Sequence, residues 1–142
     1  MYERVYGAEY KEGMDIKDIA KKVRKMLKAE MPDFKFAVRI DRFAGGQSLN
    51  IGIKDVPDGF RFAQENPKEF EREYRPIVWT DELRDAQEKA RAIGLRFNYD
   101  GSEIQVDYFD VNYYCTAFVE FQSAAYYKQR AEECKLMDKE AA

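Results

Sequence analysis

Asp100, Glu103, Asp107 and Asp110 fall within eleven residues that carry no Lys or Arg. Such a group could serve acid–base chemistry or hold magnesium or calcium. Its spacing fits no EF-hand loop, which needs Gly at the sixth position and Glu at the twelfth. A strand through Ile104–Tyr108 would send alternate side chains to opposite faces and split the acids into separated pairs. No metal site is therefore expected. The chain has no histidine. That removes the commonest general base, the commonest neutral metal ligand and every Ser–His or Cys–His nucleophile. Cys115 and Cys134 lack an activating partner and sit in apolar patterns, so both read as reduced, inert thiols. Ser48, Ser102 and Ser123 occupy turn or cap positions, which accounts for them without chemistry. Gly45-Gly46 lacks the Gly-Lys-Ser/Thr ending of a phosphate-binding loop. No catalytic residue, no cofactor and no enzyme activity are expected.

Binding is the better-supported use of these residues. Between Arg96 and Lys128 there is no Lys or Arg, while five acids and ten aromatics lie there. The charge is unevenly spread along the chain: residues 1–60 carry a net charge of +2 and residues 61–142 carry −5. Read as a surface, Tyr99, Asp100, Glu103, Asp107, Tyr108, Asp110 and Tyr113 would bind a basic partner protein. Tyrosines supply contact area with a polar tip, and carboxylates steer the encounter. Spaced carboxylates can also imitate phosphates in a host protein's DNA channel. The plainer reading turns half of these aromatics inward from strands.

A second candidate is basic. Lys17, Lys21, Arg24 and Lys28 share one face of the first helix, with Arg39 and Arg42 on the hairpin that follows. That set would contact nucleic-acid phosphates. The plainer reading is the wet face of an amphipathic helix, and a pI near 5.2 is low for a nucleic-acid footprint.

The elements that must position these residues follow from periodicity. Asp15 caps a helix running to about Met31, with Ile16, Ile19, Ala20, Val23, Met26 and Leu27 on its apolar face. Phe34, Phe36, Val38 and Ile40 alternate with Lys35, Ala37, Arg39 and Asp41, and Leu49, Ile51 and Ile53 alternate in the same way, across a turn at residues 44–48 expected to need positive φ. Pro57-Asp58-Gly59 is a second turn. Pro67 starts a short helix through Phe70 and Tyr74. Thr80 caps a clearer one, with Leu83, Ala86, Ala90 and Ile93 inward and Gly94 as terminator. A strand over Leu95–Tyr99, a turn at Asp100-Gly101-Ser102 and one or two strands over residues 104–121 come next. Ser123 caps a last helix with Ala124, Tyr127, Ala131 and Cys134 on one face. The 142 residues and 16.7 kDa make one domain over 1–142, with 1–12 and 138–142 frayed. The fold expected is α+β: a small antiparallel sheet of about four to five strands, packed on one face by three to four helices. No apolar run is long enough to span a membrane, and Met1–Glu12 carries no signal core.

Two stretches resemble a known family. One is Asp18–Lys28 followed by Pro32-Asp33-Phe34-Lys35-Phe36-Ala37-Val38-Arg39 and Gly45-Gly46-Gln47-Ser48. The other is Phe97-Asn98-Tyr99-Asp100-Gly101-Ser102-Glu103, then Asp107-Tyr108-Phe109-Asp110 and Asn112-Tyr113-Tyr114. Together they are similar to the large polyvalent protein-associated domain of the type numbered 29, found in bacteriophages, plasmids and conjugative elements. The chain departs from the resemblance at Ile51–Asp55, where a more aromatic strand is expected. The resemblance implies an accessory protein in a bacterial host cytoplasm, helping an invading element against host defences of the CRISPR or restriction type. Its partner would be a host protein or complex, including one that itself binds nucleic acid. It brings no catalytic residues.

Overall fold

The computed structural model describes residues 3–102, 110–120 and 132. The first helix, α1 (Ile16–Glu30), starts where the polar-to-apolar switch places it. Asp15 is its N-cap, its carboxylate accepting from the Lys17 N–H at 3.1 Å. Pro32 follows two residues after the helix ends. Strands β2 (Lys35–Phe43) and β3 (Gly46–Asp55) form the expected hairpin, with Val38 opposite Ile51 and Ile40 opposite Leu49. The strands zip closer to the tip than expected, so the turn contracts to Ala44-Gly45. Gly46 there has φ 159°, close to extended. The next turn does need its glycine: Gly59 sits at φ 77°, and the Phe60 N–H closes on Pro57 O at 3.0 Å.

Beyond the hairpin, Ala63–Glu65 (β4) pairs antiparallel with Ile77–Trp79 (β5), a ladder the sequence reading omitted. The helix expected from Pro67 is a single 3-10 turn at Glu69–Glu71. Phe70 and Tyr74 stay 77% and 84% exposed, so no apolar face exists to hold a longer helix down. Helix α2 (Asp81–Gly94) is capped by Thr80, whose hydroxyl accepts from the Leu83 N–H at 3.2 Å. Its inward residues are the expected Leu83, Ala86, Ala90 and Ile93.

The fold is α+β, but the sheet differs from the one expected. Among the described residues there are two helices and three sheets of two or three strands. The largest has the order β2-β3-β7, with β7 at Tyr114–Val119. β3 and β7 run parallel, Leu49 beside Cys115 and Ile51 beside Ala117. The connection between them carries α2, the crossover that parallel neighbours require. One face of this sheet meets α1 and α2. Leu49, Ile51, Val38 and Cys115 pack there against Ile19, Val23, Leu27, Ala90 and Ile93. Ile53, Val56, Phe62, Ala63 and Leu83 form a second cluster.

Gly94 does not end its helix through a left-handed residue. Its φ is −63°, and the chain continues into a 3-10 turn over Leu95–Phe97. An added Cβ would lie 2.7 Å from Cys115 Sγ and 2.9 Å from Ile51 Cδ1. The glycine lets the end of α2 touch the sheet. This turn replaces the strand expected over Leu95–Tyr99. Only Tyr99–Asp100 (β6) extends, and it pairs with Val5–Tyr6 (β1). Glu103, Asp107 and Tyr108, and the helix expected from Ser123 with its Cys134, lie outside the described residues.

Candidate functional site

The stretch expected to bind a partner is organised by Asn98, a buried residue. Its amide donates to Tyr113 O at 2.7 Å. Its side-chain oxygen accepts from the N–H groups of Tyr99, Asn112 and Tyr113 at 2.9, 3.1 and 3.2 Å. One side chain thus ties the segment after α2 to the segment entering β7. A buried amide that donates once and accepts three times is worth more than its polarity suggests, because each partner would otherwise be unsatisfied.

Tyr113, expected at the partner-facing surface, is instead a core residue with 0% exposure. Its hydroxyl donates to Gly94 O, and burial pushes its phenol pKa well up. The alternation of β7 explains this placement: Cys115 and Ala117 face the helices, and Tyr113 precedes them on the same side. Asp110, expected as an available acid, is held by Arg4. The guanidinium donates through Nε at 2.8 Å and Nη2 at 3.1 Å to the two carboxylate oxygens. Asp100 is exposed, with Oδ1 accepting from the Ser102 N–H at 2.8 Å. Of the turn expected at 100–102 the structure shows that one side-chain-to-backbone bond, while Asp100 itself extends in β6.

Tyr99 stands in a cluster that sequence reading missed. Its ring lies 5.5 Å from Tyr10, edge-on, and 6.3 Å from Tyr6, while Tyr6 and Tyr10 are 4.9 Å apart. The Arg4 guanidinium carbon sits 4.0 Å from the centre of the Tyr99 ring. Arg4 is thus both a cation over an aromatic face and the partner of Asp110. Loss of solvent, followed by the charge of Glu12, pushes the Tyr10 phenol up. Val5 and Tyr6 are 75% and 55% exposed. A cleft of about 350 Å³ opens beside them, lined in part by Tyr6, Arg91, Leu95, Tyr99 and Asp100. The only sequence signal was the tyrosines at 2, 6 and 10, which periodicity does not connect to residue 99.

The basic set is dispersed. Arg42 pairs with the helix cap Asp15 at 3.3 Å, Arg39 with Glu120 at 2.7 Å, and Arg24 donates to Val38 O at 2.7 Å. Lys17, Lys21 and Lys28 are exposed on α1. Arg24 and Lys28 instead join two lysines outside the expected set, Lys35 and Lys54, around a groove of about 520 Å³ between α1 and β2. Leu27, Phe34, Phe36 and Val38 supply its apolar lining.

Cys115 is buried and its thiol is pushed up to about 11 by that burial. No group of three or more metal-ligating side chains converges among the described residues. No described helix is long and apolar enough to cross a membrane.

The family model described as large polyvalent protein associated domain 29 matches residues 14–117. No curated protein and no solved structure matches the chain.

Proposed function

The chain belongs to the large polyvalent protein associated domain 29 family, a domain associated with phages and mobile elements, and on that premise we propose that it is a non-enzymatic binding module directed at a host protein. The observation that carries this reading is the tyrosine cluster: Tyr6, Tyr10 and Tyr99 around Arg4, beside an open cleft and the exposed Asp100. Tyrosine and arginine are side chains that anchor protein interfaces: tyrosine buries large area at small entropic cost, and both keep polar ends for hydrogen bonds. Asp100 adds steering toward a basic partner. The module would act in the bacterial cytoplasm, and a component of a defence system of the CRISPR or restriction type is the partner that suits a mobile element.

The test is affinity capture from the bacterial host, followed by titration of the purified partner. Tyr6→Ala is expected to weaken binding by about ten-fold or more, as anchor truncations do. Asp100→Lys is expected to slow association and flatten its salt dependence. A partner that binds both variants as tightly as the parent sinks this surface. Plating of a phage on cells that carry the defence, with and without the protein, tests the biological half.

A further inference from the structure

We propose that the edge of β2 and the groove beside it receive an extended, acidic segment of a partner protein as an added strand. This goes beyond the tyrosine-face reading and rests on different elements. The sheet β2-β3-β7 has two edges among the described residues, and α-helical side chains treat them differently. At β7, Arg91 Nε donates to Cys115 O at 3.2 Å and Gln87 Nε2 to Ala117 O at 3.5 Å, so α2 closes that edge. At β2, among the described residues, a single side chain does this: Arg24 Nη2 on Val38 O at 2.7 Å. In an antiparallel ladder every second residue directs its N–H and C=O away from the neighbour. Phe36 and Ile40 therefore share the outward direction of Val38.

An unpaired edge is a template for another strand. Here it borders a groove with chemistry of its own. Among the described residues Arg24, Lys28, Lys35 and Lys54 line the groove, and no carboxylate does. Lys54 also lies near enough to Glu120 to help lower its pKa. Leu27, Phe34 and Val38 offer an apolar floor between these cations. A strand alternates its side chains at a period of two. Acids on one side and apolar residues on the other would satisfy the cations and the floor together. Arg24 is placed to pass the Val38 carbonyl to an incoming N–H and turn its charge to a carboxylate. Single-stranded nucleic acid fits less well. Phe34 and Phe36, the rings a base would need as platforms, are stacked on each other at 6.1 Å, and Phe34 meets Phe60 edge-on at 5.2 Å.

The experiment is selection of a displayed random ten-residue peptide library on the immobilised full chain. Enrichment of Asp or Glu alternating with apolar residues at a period of two is the expected result. Enrichment at helical spacing, enrichment without acids, or no enrichment overturns the proposal. The best selected peptide is then resynthesised with alternate backbone amides N-methylated, which blocks ladder hydrogen bonds. Affinity by anisotropy should fall about ten-fold or more in one of the two methylation registers. Equal affinity in both registers overturns the strand mode. Lys28→Glu with Lys54→Glu should weaken the unmethylated peptide by a similar factor, in a protein whose circular dichroism is unchanged; unaltered affinity overturns the site. A twelve-nucleotide oligo(dT) that binds more tightly than the selected peptide makes the groove a nucleic-acid site and overturns it too.

Discussion

Arg39 and Glu120 meet across the central strand of the sheet, over a residue with no side chain. Arg39 Nη1, on β2, lies 2.7 Å from Glu120 Oε2, just past β7. Between them runs β3, and Gly52 is the residue beneath. A Cβ added there would fall on the Glu120 carboxylate and lie 3.3 Å from the Phe118 ring. The outer face of the sheet is therefore laced from edge to edge by one ion pair, and the gap in β3 makes room for it.

Gly52→Val should break that arrangement. The new side chain must displace the carboxylate and move an aromatic ring, at about 1–3 kcal/mol, the usual cost of forcing atoms into a filled site. Arg39→Gln alone should cost little, because the pair is exposed. Urea unfolding of the single and double variants measures this. If Arg39 and Glu120 remain coupled in the Gly52→Val background, the gap is not what permits the pair.

Stability should fall in acid through two glutamates. The hydrogen bond from Arg39 holds Glu120, and that from Arg96 holds Glu30, below the ordinary value of 4.5. A carboxyl depressed in the folded state contributes stability that is present above its unfolded value and lost as pH falls through its folded one. The urea midpoint should then be flat from neutral pH to about 5 and drop below about 4, where ordinary carboxylates titrate. Arg96→Gln, which frees Glu30, should make the drop shallower. An unchanged profile would remove Glu30 from the account.

Asn98→Ala is expected to cost about 2–4 kcal/mol, since four bonds are lost and buried backbone groups at Tyr99, Asn112 and Tyr113 go unpaired. Asn98→Asp keeps the acceptor and loses the donor to Tyr113 O, so it too should destabilise. Tyr113→Phe removes only the hydroxyl and should cost about 1 kcal/mol. Thermal or urea unfolding ranks the three. A neutral Asn98→Ala would show that the junction is held by something else.

The Cys115 thiol should be slow to react. With a pKa pushed from 9.0 to about 11 by burial, its thiolate fraction at pH 8 falls about a hundred-fold. In a Cys134→Ser background, labelling by a disulfide reagent reports Cys115 alone. It should be slow in buffer and rapid in urea. Fast labelling of the folded chain would place the thiol nearer solvent than the structure has it.

The two long helices, the hairpin and the final strand were legible from residue order alone. Asp15 and Thr80 are caps that act on amides two or three residues away, and the apolar faces of α1 and α2 repeat at helical period. Alternation in Phe36–Ile40 and Leu49–Ile53 marks strands in the same local way. Such patterns say which face is apolar, not what it packs against. Tyr113 could therefore be read as surface when it completes the core. Gly94, read as a helix stop, is the last residue of α2, but what its missing side chain permits is contact with Ile51 and Cys115.

Tertiary structure alone decided the pairings. Parallel β3 and β7 are joined through α2, so no turn signal announces their register. Arg4 with Asp110 and Arg39 with Glu120 are separated by 106 and 81 residues, and no period links them. These pairings occupy Asp110 of the acidic set and Arg39 of the basic one, and Asp15 occupies Arg42. The groove is a consequence of the same folding: Arg24 and Lys28 reach it from a helix, and Lys35 and Lys54 come from strands that lie beside that helix only once the sheet has formed. Local periodicity comes from backbone geometry and is written residue by residue; charge constellations come from which elements meet, and only the folded chain brings them together.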